Sequence, residues 1–232
     1  MIRALVLIPS FNPGPALRPA VQDALAQWDA VWVVSDGSTD GSDDGVERLG
    51  ARLIRRARTG GKGAAVHDGL VQAAAAGFTH ALVMDADGQH PPGRIRAFMA
   101  AAAARPGAMI LGQPVFGPDA PLLRRAGRRV ANAATRAVAR RAGIGDALFG
   151  FRVYPIAPLL RAMAATRFMR GFDFDPEAAI RLARMGVAVV HLPAPVRYPP
   201  RDQGGVSHFR YLRDNLRLAW MFARLLSRRG GA

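Results

Sequence analysis

Short, nearly unbroken apolar runs recur along the first half of the chain, and a helix-patterned stretch or a polar turn follows each one. Residues 3–9 are apolar from Ala4 up to Pro9, 30–34 read Ala-Val-Trp-Val-Val, and similar runs, broken only by Arg52 and His80, occupy 51–54, 80–84 and 108–112. Strands that are apolar on both faces belong to a sheet covered on both sides. The intervening segments 16–27, 60–76 and 93–104 carry helical spacing, and the alanine runs inside the last two are helix interiors. This β-α alternation predicts an α/β chain with a mostly parallel central sheet. Open sheets of this kind bind ligands outside the carboxyl ends of their strands. Polar, glycine-rich or acidic loops stand at three such ends, 9–14, 35–42 and 85–90.

The second half is patterned differently. An arginine-studded helix is predicted over 121–141, a strand over 147–154, helices over 155–165 and 174–185, and a strand over 187–192. A Pro/Gly-rich loop spans 193–207, and a last helix covers 208–229. No internal repeat or linker interrupts the 232 residues, a length that one large domain accommodates. Cysteine is absent. This excludes a disulfide scaffold, a zinc–thiolate or iron–sulfur site and a cysteine nucleophile. The apolar run before Pro9 is too short for a signal peptide, and no run reaches the ~18 residues of a spanning helix. A cytoplasmic chain, not integral to a membrane, is the expectation. The net charge of +15 favours anionic partners: nucleic acid, anionic lipid or phosphorylated small molecules.

Asp85-Ala86-Asp87-Gly88-Gln89 is the most informative loop. Two carboxylates one residue apart at a strand end can reach one hard cation, and magnesium and manganese prefer such oxygen ligands together with phosphate and water. The plain alternative is an acidic turn. In Asp36-Gly37-Ser38-Thr39-Asp40-Gly41-Ser42, Asp36 and Ser38 suit an NH or a ribose hydroxyl, although a helix cap would use the same residues. Gly60-Gly61-Lys62-Gly63 lacks the Walker spacing. Glycines with one cation at a helix start can still hold an anion; the alternative is a glycine turn. Of 32 basic residues Lys62 is the only lysine, which makes the position chemically particular.

Taken in order, Ile8-Pro9-Ser10-Phe11-Asn12, Val34 to Ser42, Gly61-Lys62-Gly63-Ala64-Ala65 and Met84-Asp85-Ala86-Asp87-Gly88-Gln89-His90 resemble family 2 glycosyltransferases of the GT-A fold. The likeness is greatest to the polyprenol-phosphate (dolichol-phosphate) mannosyl- and glucosyltransferase branch, and it extends more loosely to about residue 210. It implies a nucleotide-sugar-binding half over 1–115 and an acceptor half over 116–207 within a single domain 1–207, followed by a basic amphipathic helix and tail over 208–232. It implies a nucleotide-sugar donor with Pro9, Ser10, Asn12, Asp36 and Ser38 around the nucleoside and Lys62 near the nucleotide. Asp85, Asp87 and Gln89 would hold Mg2+ or Mn2+ on the diphosphate. Departure of a nucleoside diphosphate builds negative charge that a metal and fixed cations stabilise. Attack from the opposite face of the sugar inverts its configuration.

Phe174-Asp175-Pro176-Glu177 is similar to the acidic acceptor-side motif of the family. Asp175 also suits an N-cap and Pro176 a first helical turn. A hydroxyl acceptor needs a base, for which Asp175 is the first choice and Glu177 the second; an anionic phosphate acceptor needs none. Arg124, Arg125, Arg128 and Arg129 read either as a solvated helix face or as a phosphate-binding cluster. Arg201 and Ser207 resemble the family's Arg-x-x-Gly-x-Ser-Lys loop over the diphosphate with one extra residue, and His208 stands where lysine is commoner. Residues 209–229 interleave Phe, Leu, Trp and Met with arginine, the pattern of an interfacial anchor or of a helix packed on the domain. The resulting expectation is a metal-dependent inverting transferase on the inner membrane face. Polyprenyl phosphate is the favoured lipid-linked acceptor, and a hydroxyl of a lipid or polyene is the alternative. A nucleic-acid-binding protein fits poorly with 7% aromatic residues, and a silent membrane-bound scaffold fits poorly with intact Asp85, Asp87 and Lys62.

Overall fold

The computed structural model describes residues 1–117, 132–135, 138, 143–197 and 211–227. Its centre is a seven-stranded sheet. The strands are β1 (Ala4–Ser10), β2 (Val31–Ser35), β3 (Arg52–Arg55), β4 (His80–Val83), β5 (Ala108–Val115), β6 (Arg152–Pro155) and β7 (Ala188–Pro195). Their order is β3-β2-β1-β4-β6-β5-β7. Pairing is parallel throughout except that β6 runs antiparallel to both β4 and β5. The mostly parallel α/β sheet expected from the apolar runs is present. Pro193 and Pro195 lie in β7, at an edge of the sheet, where a missing ladder donor is tolerated.

Alternation along each strand separates two cores. Leu5 and Leu7 of β1 join the cluster that contains helices α2 (Lys62–Ala75), α4 (Ile156–Ala164), α5 (Phe174–Arg184) and α6 (Tyr211–Ser227). Ala4, Val6 and Ile8 point the other way, to α1 (Leu17–Leu25) and α3 (Ile95–Ala104). Both faces of β1 are completely buried, which is why its sequence shows no polar alternation.

Two sequence expectations need correction. The strand read over 147–154 begins only at Arg152. Residues 146–151 are a loop, because Asp146 Oδ1 accepts the backbone N–H groups of Leu148 and Phe149 at 2.9 and 2.8 Å and takes them out of any ladder. Helix α5 starts at Phe174 with Asp173 as its cap residue. Asp175 is therefore inside the first turn and is not the N-cap. Asp173 accepts from the N–H groups of Gly171 (2.9 Å) and Met169 (3.2 Å) and so shapes the approach to the helix. Helix α6 packs its apolar stripe on the domain: Leu218, Met221, Phe222 and Leu225 are buried in the first core. Leu216 (63% exposed) and Trp220 (52%) nevertheless stay in solvent. Among the described residues no helix is long and apolar enough to cross a membrane.

Candidate active site

Strands β1, β2 and β4 run in the same direction, so Ser10, Asp36 and Asp85 emerge together at one end of the sheet. The strand order reverses at β1, and this crevice is where open α/β sheets take ligands. The antiparallel β6 enters from the same end, since Val83 of β4 pairs with Arg152. The loop 146–151 is thereby delivered beside Asp85.

The first two loops are laced together. Asn12, held at a left-handed φ of 42°, receives the Thr39 N–H on Oδ1 at 2.8 Å. Ser38 Oγ accepts the Asn12 N–H at 3.1 Å, and Asp40 Oδ2 accepts the Gly14 N–H at 2.9 Å. Pro9 is buried in β1, and Ser10 Oγ is buried without a partner. Asp36 is almost wholly buried. Its carboxylate accepts from the Gly61 N–H (2.7 Å), the Gly60 N–H (3.0 Å), Thr59 Oγ1 (3.0 Å) and the Arg56 guanidinium. Asp36 therefore braces the loop before α2 and presents no free carboxylate to a nucleoside.

That loop is not an open phosphate cradle. A Cβ on Gly63 would lie 2.0 Å from the Met169 carbonyl oxygen, and one on Gly61 would lie 2.5 Å from that of Arg170. The Arg170 carbonyl accepts the Ala64 N–H at 3.1 Å. The glycines thus admit the backbone of 169–171, which occupies a helix-start N–H that an anion would otherwise use.

Lys62, the first residue of α2, is where the two halves of the site meet. Its Nζ lies 2.6 Å from Asp85 Oδ1 and 2.6 Å from Asp175 Oδ2. Burial opposes the ammonium charge, but Asp175 and Asp85 outweigh it and hold the pKa of Lys62 above the ordinary lysine range. Burial likewise works against ionised Asp85. The Lys62 ammonium outweighs it, and Asp85 stays below the usual carboxylate range. For Asp87, burial first and then the Asp85 carboxylate push the pKa up and outweigh the opposing pull of its surroundings, Lys62 included. Its Oδ1 accepts the Gln89 N–H at 3.0 Å. His90 is buried and its pKa is lowered by burial. Its Nδ1 accepts the Asp85 N–H at 2.8 Å, which leaves Nε2 protonated 3.7 Å from Asp85 Oδ2.

Among the described residues no set of three or more acidic, histidine or cysteine side chains is gathered as a ready metal cage. The residues present still fit a hard divalent cation shared with a ligand. Asp85 and Asp87 are an all-oxygen pair, and the Asp85 carboxylate adds to burial in raising the Asp87 pKa. A bound cation relieves the repulsion between two such carboxylates. Mg2+ and Mn2+ commonly complete their shells with phosphate oxygens and water.

Sequence reasoning missed Gly150 and Arg152. A Cβ on Gly150 would lie 2.7 Å from Lys62 Nζ, 3.2 Å from Asp85 Oδ2 and 3.3 Å from Asp175 Oδ2, so the Lys62 cluster closes because this position has no side chain. Arg152 is completely buried. It donates to the carbonyls of Phe149 (2.7 Å), Ala147 (2.7 Å), Asp146 (3.1 Å) and Asp175 (2.5 Å) and to the Tyr154 hydroxyl (3.1 Å). One side chain thus fixes both the 146–149 loop and the start of α5. The available signal was an arginine set among Phe149, Phe151, Val153 and Tyr154.

Asp175 and Glu177, paired in the sequence as candidate bases, are sent to different places. Asp175 joins Lys62, and its Oδ1 is buried without a partner. Glu177 is completely buried, with Arg181 Nε on Oε1 at 2.7 Å and Arg224 Nη2 on Oε2 at 2.5 Å. Two residues apart on a helix, the side chains diverge. Glu177 ties α5 to α6 and has no carboxylate oxygen free to act as a base. Arg124, Arg125, Arg128, Arg129, Arg201, Ser207 and His208 lie outside the described residues.

Three solved structures, all of glucosyl-3-phosphoglycerate synthase from Mycobacterium tuberculosis, share this architecture. One superposes with a TM-score of 0.71 at 18% identity, covering 97% of this chain and 79% of that one. The form complexed with Mn2+ and UDP-glucose gives 0.71 at 19% identity over 97% and 78%. The form with Mn2+, UDP and glucosyl-3-phosphoglycerate gives 0.66 at 17% identity over 97% and 78%. At such identity the likeness establishes the fold. No curated protein sequence matches the chain. The model of glycosyl transferase family 2 matches residues 5–164, from the buried β1 to the end of α4 and through every donor-side loop described above, and the chain belongs to that family.

Proposed function

We propose that the protein transfers a sugar, with inversion, from a nucleotide-diphosphate sugar to an acceptor hydroxyl held at Asp175, with a divalent metal at Asp85 and Asp87. The observation that carries this reading is the shared ammonium. Asp85, on the donor side, and Asp175, on the acceptor side, are 90 positions apart, yet each lies 2.6 Å from Lys62 Nζ. Lys62 thus fixes the metal-side and the acceptor-side carboxylates at one point, so a sugar held on a metal-bound diphosphate would present its reacting carbon to an acceptor hydroxyl at Asp175.

Asp175 Oδ2 is fixed by Lys62 and Oδ1 has no partner. An acceptor hydroxyl donating to Oδ1 would lose its proton there as the new glycosidic bond forms. Arg152 holds the Asp175 carbonyl and so orients the base. Asp85 and Asp87, with the side chain of Gln89, would hold Mg2+ or Mn2+. Such an ion, when bound, neutralises charge on the departing diphosphate. The Mn2+ and UDP-glucose complexes of the structural relatives support a nucleotide-sugar donor.

A second reading keeps a lipid-linked acceptor, polyprenyl phosphate foremost, at the inner membrane face. The observation favouring it is the exposure of Leu216 and Trp220 on an arginine-rich terminal helix. The structural relatives were complexed with phosphoglyceric acid, which is not a lipid.

The donor half of the proposal is tested by thermal shift with UDP-, GDP- and dTDP-sugars, each with manganese and with chelator, on wild type and Asp87→Ala. Ligand far above its dissociation constant stabilises the native state by a few kcal/mol (~2.7 at a hundredfold excess). The expected result is a metal-dependent shift for one nucleotide that Asp87→Ala abolishes. No metal-dependent shift with any of them would remove the transferase reading.

A further inference from the structure

Among the described residues, the ion pairs at Glu177 set two positive charges against one negative. Two guanidiniums, those of Arg181 and Arg224, face this one buried carboxylate. Arg181 Nη2, Arg224 Nε and Arg224 Nη1 are buried and have no acceptor. Buried donors are nearly always paired in native proteins, and three orphans around one carboxylate leave room for a further anion.

A cavity of about 410 Å³ opens beside Arg224. Among the described residues its lining includes Thr166, Arg167, Phe168 and Arg224 and no acidic residue. The Phe168 ring organises the wall: Arg224 Cζ is 3.9 Å from its centroid, Arg167 Cζ is 5.2 Å away, and Trp220 meets it edge-on at 4.8 Å. Thr166 Oγ1 accepts the Phe168 N–H at 3.2 Å, so its own proton is available to a ligand. Arg167 is exposed at the rim while Arg224 is more than nine-tenths buried.

We propose that this cavity is a binding site for a phosphate group, separate from the donor loops and independent of the sugar-transfer reading. Planar guanidinium forks match the oxygens of a phosphate, and charge-assisted bonds to them are the strong class of hydrogen bond. An anionic group in the cavity would balance the second guanidinium, and its oxygens would supply acceptors for the orphan N–H groups of Arg224, the one of the two arginines that lines the cavity. The volume suits a phosphorylated small molecule or the headgroup of a phospholipid. Trp220, one helical turn before Arg224, places exposed apolar surface next to the cavity, so both sources of phosphate are tested.

The experiment uses the full chain in chelator, which removes any metal-dependent phosphate binding at the donor loops. Calorimetric titration with inorganic phosphate and with glycerol 3-phosphate is run at constant ionic strength against chloride. Sedimentation is run in parallel with phosphatidylcholine vesicles that contain or lack phosphatidic acid. The variants are Arg224→Met and, because that change also removes a partner of Glu177, the rim pair Thr166→Val with Arg167→Gln, which leaves the Glu177 ion pairs in place. The expected result is saturable binding of one phosphate per chain, weakened about tenfold or more in both variants. Variant-sensitive binding of the small phosphates alone assigns the site to a soluble ligand, and variant-sensitive sedimentation assigns it to a lipid headgroup. Absence of saturable binding in every arm overturns the proposal. So does binding that the rim pair leaves unchanged, since capture by surface arginines elsewhere would then account for it.

Discussion

The two halves of this molecule build their parts of the site with different chemistry. In the donor half, short polar side chains tie neighbouring loops through backbone N–H groups: Asn12 to residue 39, Ser38 to residue 12, Asp40 to residue 14, and Asp36 to residues 60 and 61. In the acceptor half and its last helix, arginines reach across long stretches of chain, and two of them, Arg152 and Arg224, are buried. Arg152 spans 146 to 175, Arg224 reaches Glu177, and Arg184 reaches the carbonyls of Val138 and Leu225. Many weak local ties tolerate the loss of one. A single buried cation that serves five acceptors does not, because every partner is left unpaired at once.

The largest effect is expected where the halves join. Asp175→Asn should lower kcat by about 10²–10⁴-fold if Asp175 receives the acceptor proton, with the metal-dependent nucleotide shift retained. Steady-state kinetics beside thermal shift measure both. A loss below about tenfold would mean that the acceptor arrives already anionic, and the phosphate-acceptor reading would replace the hydroxyl one.

Next comes the brace itself. Arg152→Met is similar in bulk but leaves four carbonyls and the Tyr154 hydroxyl without their donor. Destabilisation of about 3–5 kcal/mol is expected, read from urea unfolding. A cost under about 1 kcal/mol would break the contrast between the halves. In the donor half Ser38→Ala removes one acceptor, that of the Asn12 N–H, and should cost only about 0.5–1.5 kcal/mol. The ratio of these two losses measures the difference between the two construction schemes.

The same difference explains what could be read from the amino-acid string. Donor-side strands β1, β2 and β4 are buried on both faces, so their apolar runs are continuous and their ends are marked by Ser10, Asp36 and Asp85. The parallel sheet and its three loops were legible for that reason. The reversal of β6 was not, because strand direction leaves no local mark, and neither were the partners of Arg152, which lie up to 23 positions away. Asp175 and Glu177 looked equivalent as carboxylates. Only the helix period and the arrival of Arg224 from α6, 47 positions later, separate one that faces Lys62 from one sealed between two arginines. The glycines of 60–63 were legible as special but not for their reason. They make room for the 169–171 backbone, a contact between segments more than 100 positions apart.

A smaller effect follows from which half can titrate. The acceptor half is braced by arginines, which keep their charge at every physiological pH. The donor half instead buries His80. Its Nε2–H donates to the Pro106 carbonyl at 2.9 Å and its Nδ1 lies 2.9 Å from Thr79 Oγ1. Burial lowers its pKa below the ordinary value against the opposing pull of the Pro106 bond. Below an unfolded pKa of about 6.5 the unfolded chain takes up a proton that native His80 refuses. Stability from this group is thus complete above about pH 6.5 and is lost as pH falls toward and through the depressed native value. The slope is bounded at about 1.4 kcal/mol per pH unit for one proton. His80→Gln can keep an N–H for the Pro106 carbonyl and cannot titrate. Urea unfolding of wild type and variant between about pH 7.5 and 5 should therefore give a shallower acid slope for His80→Gln. Equal slopes would place the acid sensitivity elsewhere in the fold, and His90, buried against Asp85 with its pKa lowered by burial, would be the next histidine to replace.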